Sequence, residues 1–212
     1  MAVKFVPCYM LMSLILALAV TVDTHAQALQ VDNVDKLNAL LPESTALAND
    51  YFNADTEGPI RGRLESVENY HMGRGLIEKI AKGEYKYALQ ELDFVLTYFP
   101  NHPRGLQLLT SVAVLIKNRA LPIPFFEKAI ALYPDRAITC AQYGWYYVTI
   151  DRLDIGIHKL KDAIEMDPKL TAAYVWLAQA YEKKGNLQLA REAAKRAKEL
   201  GYNEKLPGDP GR

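Results

Sequence analysis

Pro100, Pro134 and Pro168 stand at a constant interval of 34 residues. A proline cannot donate its backbone hydrogen bond and forces the residue before it out of the helical region, so each of the three marks the end of a helix. An interval of that length holds two helices and a turn, too little to bury its own apolar face. Units of this kind must therefore stack on their neighbours into a quasi-one-dimensional all-α solenoid with an extended concave surface, a shape suited to holding another polypeptide.

The 212 residues are half apolar and about a quarter charged, the makeup of a folded chain. With 25 cationic and 25 anionic side chains there is no charge excess to attract nucleic acid. Lys4, the apolar run from Tyr9 to Val22 and the small-x-small triplet Ala26-Gln27-Ala28 are the three parts of a secretory signal peptide in order. The apolar run is shorter than the roughly 20 residues a membrane-spanning helix needs. Residues 1–28 are thus expected to be removed, after Ala26 or Ala28, and the mature protein is expected outside the cytoplasm, periplasmic or secreted. Cys8 precedes the apolar run behind Val6 and Pro7, so no lipid anchor is expected. The mature chain would keep only Cys140, which excludes an internal disulfide and leaves the fold to helix packing.

Alignment on the prolines gives units at 69–102, 103–136, 137–170 and 171–202 without insertion. Small residues recur where the two helices of a unit would cross, Gly144 with Gly156 and Ala178 with Ala190, and side chains of that size let helix axes approach closely. Val95, Ala129, Ala163 and Ala197 recur against the next unit. Leu92, Phe126 and Leu160, with Tyr143, Leu177, Tyr147 and Tyr181, fill the core between. Gly83 and Gly185-Asn186 mark turns, and Pro122 with Pro124 predicts a late start to the second helix of the second unit. In the first unit Gly75 and Lys79 replace core residues. Residues 29–68 form an extension: a short helix at 31–41, a loop from 49 to 62, and a helical lead-in from 62 to 70 that caps the first unit. Residues 203–212 are read as a loose tail.

In these residues the chain resembles the tetratricopeptide repeat family over 69–202. Gly144, Tyr147, Gly156, Leu160, Ala163 and Pro168 of the third unit occupy the family's signature positions, as do Leu177, Ala178, Tyr181, Gly185, Ala190 and Ala197 of the fourth. The resemblance implies that the first helix of each unit lines the groove, which places Arg104, Gln107, Ser111, Gln142, Trp145, Val148, Val175, Trp176, Gln179, Glu182 and Lys183 on it. The Lys, Asn and Arg set with which some family members clamp a terminal carboxylate is absent. What remains is an aromatic and amide surface suited to a peptide held by apolar anchors and backbone hydrogen bonds. Trp145 and Trp176 are equally read as plugs between neighbouring helices.

The leading expectation is a non-enzymatic protein-protein interaction scaffold of the bacterial cell envelope, without cofactor. A second reading is a metal-binding protein or metal-dependent hydrolase. Glu68, Asn69 and His71 should lie near Asn101, His102 and Arg104, and two histidines with a carboxylate are ligand types for zinc. The competing role for Asn101 or His102 is to cap the next helix. Self-association end to end through the fourth unit is the third reading.

Overall fold

The computed structural model describes residues 47–54 and 58–207. The expected signal peptide, the expected helix at 31–41 and residues 208–212 of the expected tail lie outside the described residues. Among those described, nine α-helices and no strand occur: α1 (Gly58–His71), α2 (Arg74–Ala81), α3 (Tyr85–Tyr98), α4 (Pro103–Leu115), α5 (Ile123–Leu132), α6 (Ala137–Thr149), α7 (Leu153–Met166), α8 (Thr171–Lys183) and α9 (Leu187–Glu199). They form an α-solenoid of four hairpins, α2–α3 to α8–α9, with α1 leading in. Successive first helices pack side by side, α4 on α6 and α6 on α8.

The second helices end as the prolines require. Phe99, Tyr133 and Asp167 take φ of −134°, −133° and −138° with ψ of 78°, 69° and 95°, leaving the helix one residue before each proline. The first helices end in a recurring left-handed residue, at φ of 78° for Gly83, 57° for Lys117, 66° for Asp151 and 82° for Gly185. At each of these turns the next amide reaches back five residues: Glu84 to Lys79, Asn118 to Ala113, Arg152 to Tyr147 and Asn186 to Tyr181, all at 2.9 Å. This is the Schellman arrangement, which satisfies carbonyls the helix end leaves unpaired. Glycine supplies it at two of the turns, whereas Lys117 and Asp151 are held there by the repeat itself.

At the α6–α7 crossing backbone meets backbone. A methyl group on Gly156 would lie 2.7 Å from the Gly144 carbonyl oxygen and 2.6 Å from the Val148 side chain. Ala178 and Ala190 play the same part between α8 and α9, both fully buried. Leu92, Phe126 and Leu160 fill the core as expected, each burial stabilising the fold by about 1.5 to 3 kcal/mol. One face of α6, with Tyr143 and Tyr146, belongs with the following Ile150 to the core of the first two units; another, with Cys140, Ala141 and Val148, belongs to that of the last two. That helix therefore couples the halves of the solenoid. Pro122 and Pro124 sit at the N-cap and in the first turn of α5, so this helix starts late.

Three segments depart from the expectation. The lead-in helix begins at Gly58, inside the expected loop, and continues through residue 69 to His71; the chain bends at buried Met72 and Gly73 before the short α2. Residues 49–54, expected as open loop, form a 3-10 turn (Tyr51–Asn53) docked on the repeats, with Ala54 fully buried. The start of the expected loose tail folds back as well: Leu206, 3% exposed, joins the apolar core of the last two units.

Candidate functional site

The candidate groove residues sit on α4, α6 and α8, and the structure sorts them by accessibility. Arg104, Glu182 and Lys183 are exposed; Gln107, Trp145 and Gln179 are half-buried; Ser111, Gln142, Val148, Val175 and Trp176 are buried. The buried polar members are spoken for in part. Ser111 Oγ donates to the Gln107 carbonyl, 3.0 Å away, one turn back on its own helix. The Gln142 amide donates at 2.9 Å to the carbonyl of Pro103, pinning α6 to the first turn of α4.

Trp145 and Trp176 stack, with ring centroids 6.1 Å apart and planes 16° from parallel. Trp176 is 6% exposed and belongs to the core, while Trp145 keeps an accessible edge. The two are thus one object, a buried indole supporting a partly open one. A supported aromatic loses little freedom when a ligand covers it. Lys183 is held at the far end, donating to Asp151 Oδ1 at 2.6 Å and to the Val148 carbonyl at 3.0 Å, so its ammonium bridges the third and fourth units. That hydrogen bond holds the Asp151 carboxyl below its usual range. Val114, at the twelfth position of the second unit, is also exposed; the position rule that gave Ser111 would have found it.

The expected histidine cluster separates. His102 is fully buried and caps α4: its Nδ1 accepts from the Gly105 amide at 3.0 Å. A ring nitrogen that accepts carries no proton, so Nε2 bears it and donates to Glu68 Oε1 at 3.1 Å. Both nitrogens are committed. His71 turns to Glu91, 2.6 Å from its Nδ1, and lies against the Phe94 ring at 4.1 Å. Asn101 turns instead to Asp50 and the Tyr51 amide, while Arg104 stands near enough to Glu68 to add to the lowering of its carboxyl that the His102 hydrogen bond dominates. Among the described residues no three of His, Cys, Asp and Glu converge as a metal site, and Glu68, His71 and His102 divide into two separate pairs.

His158 is exposed on α7 and paired with Asp162 at 3.0 Å. Cys140 is buried, with burial raising its thiol pKa, and its Sγ contacts the Lys159 carbonyl at 3.4 Å.

A family model described as tetratricopeptide repeat matches residues 159–192, from within α7 to within α9. Over 83 residues the chain is 36% identical to the TPR repeat-containing protein YpiA of Bacillus subtilis, covering 39% of this chain and 19% of that protein, so it spans only about a fifth of the length of this relative. Among solved structures, MamA from Desulfovibrio magneticus RS-1 is similar at 26% identity over 59% of this chain and 71% of its own, with a TM-score of 0.45. YrrB, described as a TPR protein with an unusual peptide-binding site, is similar at 21% identity over 68% and 74%, also with a TM-score of 0.45.

Proposed function

We propose that this chain, in which residues 159–192 match the tetratricopeptide repeat model, is a tetratricopeptide repeat protein serving as an exported, non-enzymatic adaptor of the bacterial cell envelope, and that it holds a peptide segment of another protein along α4, α6 and α8. The signal-like N-terminal sequence supports export. A single observation carries the groove reading: Trp145, partly open, is braced from behind by buried Trp176. Gln107 and Gln179 are half-buried on the first helices to either side, α4 and α8, and Arg104 and Lys183 are exposed on the same two helices. An aromatic anchor flanked by amide groups is a polypeptide-binding surface of the hydrogen-bonding, apolar-anchor type.

Panning a displayed library of random peptides on the purified mature chain tests this. Peptides that bind saturably to the wild type and lose about tenfold or more in affinity on Trp145→Ala support it, tenfold being the loss of one sizeable anchor. Failure to enrich any peptide, or binding indifferent to Trp145→Ala and Gln179→Ala alike, contradicts it.

A further inference from the structure

The segment Asn49–Asn53 contacts the repeats as a bound peptide contacts a receptor. Its backbone is extended at Asp50, with φ −74° and ψ 117°. The Asn49 amide donates to the Tyr98 carbonyl at 2.8 Å and the Tyr51 amide to Asn101 Oδ1 at 2.9 Å. The chain is extended at Asp50 and then enters the 3-10 turn Tyr51–Asn53, and both the Asn49 and the Tyr51 amides are taken up by the repeats. The side chains are read as well. Asp50 accepts from Asn101 Nδ2 at 2.7 Å and from Arg136 Nε at 2.9 Å, with Arg136 Nη2 on the same oxygen, a forked pair of charge-assisted bonds. The Tyr51 ring lies on the His102 imidazole with centroids 4.7 Å apart, and the Arg136 guanidinium stands 5.6 Å over the Phe52 ring while donating to Asn53 Oδ1 at 2.8 Å.

The receiving groups come from two successive junctions between units: Tyr98, Asn101 and His102 from the first, Arg136 from the second. Asn101 and His102 are fully buried beneath the arm. The capping role of His102 explains its place, but no role inside the repeat explains the Asn101 amide, both ends of which are used by the arm. Burial, and after it the nearby Asp50 carboxylate, push the Tyr133 phenol up to about 12. The edge is built around a segment that presents Asp followed by an aromatic residue.

We propose that this edge, separate from the concave groove, is a second recognition site, for a segment of another protein that carries Asn-Asp-aromatic and turns after the Asp as the arm does, and that residues 49–53 fill it in the resting chain. The arm is then an internal competitor. A tethered segment acts at an effective concentration of about 1 mM, so a free peptide with a dissociation constant of about 100 μM is weakened about tenfold while the arm is seated.

The test titrates a fluorescently labelled peptide LANDYFNA, the sequence of residues 47–54, into the full mature chain, read by anisotropy. The carrier is Asp50→Ala/Tyr51→Ala, in which the arm has lost its anchors. Saturable binding about tenfold tighter than to the wild type, abolished by adding Arg136→Ala, is the expected result. No saturable binding to a folded carrier, or binding unmoved by Arg136→Ala, overturns the proposal. If the double variant does not fold, Asp50→Asn serves as carrier with the same expectation; if that too unfolds, the arm is a structural strap and the proposal fails. A wild-type dimer that dissociates on Asp50→Asn would show arms exchanged between copies and would also overturn it.

Discussion

Gly144 and Gly156 touch through their backbones where α6 crosses α7: a methyl added to Gly144 would stand 2.9 Å from the Gly156 carbonyl oxygen and 3.0 Å from the Leu160 nitrogen. Neither neighbour is the free end of a side chain that can step aside. Gly144→Ala and Gly156→Ala are each predicted to destabilise the fold by about 1 to 3 kcal/mol, the cost of overpacking. Gly62→Ala, inside α1 with open space around it, should stabilise by about 0.5 to 1 kcal/mol through helix propensity. Urea unfolding of the three variants checks both signs.

Lys117 holds a left-handed conformation at a turn that glycine fills elsewhere in the chain. A side chain there costs about 1 to 2 kcal/mol, and glycine returns part of that as entropy of the unfolded chain. Lys117→Gly is therefore predicted to stabilise by roughly 0.5 to 1 kcal/mol, and Gly185→Ala to destabilise by about 1 kcal/mol. A rise in thermal midpoint for the first and a fall for the second are the expected readings.

The stacked indoles should separate under mutation. Trp176→Ala empties a buried site and is predicted to cost about 3 to 5 kcal/mol. Trp145→Ala, which removes a half-exposed ring, should cost about half as much while weakening peptide binding. Equal losses of stability would place both rings in the core alone.

The proton at His102 Nε2 holds the Glu68 carboxyl below its usual 4.5, against the opposing effect of burial. A value depressed in the folded state stabilises the fold at pH above the unfolded value, and the contribution fades as pH falls through the folded one. Glu68→Gln keeps an acceptor and loses the charge. Because Glu68 is about a third exposed, the difference from wild type should stay below about 1 kcal/mol near neutral pH. It should shrink as pH falls below the usual carboxylate range and vanish only below the lowered folded-state value. Urea midpoints measured across that range decide it.

Helix ends and crossings were legible because they depend on residues that act locally: a proline forbids a helix whatever surrounds it, and Gly144 and Gly156 announce a close approach. The turn at Lys117 was not legible, since nothing in a lysine signals a left-handed backbone, and at Asp151 the signal is no more than the modest tolerance of aspartate for that region. The docked arm and buried Leu206 depend on contacts between distant parts of the chain. Asp50 meets Arg136 across 86 positions, a separation at which periodicity is silent. For the groove, position in the repeat named the residues, but whether a side chain faces outward depended on its neighbours. Ser111 turns back to its own helix, Gln142 is drawn to Pro103, and Trp176 is covered by Trp145. In the histidine cluster, proximity of His102 to Glu68 was legible, whereas the pull of Glu91 on His71 was not.

Amide hydrogen exchange of the full mature chain, with and without a peptide selected from the library, tests the central claim most directly. Slowed exchange concentrated on α4, α6 and α8 is the predicted result. Protection confined to the outer helices α3, α5, α7 and α9, with the first helices unchanged, would contradict it.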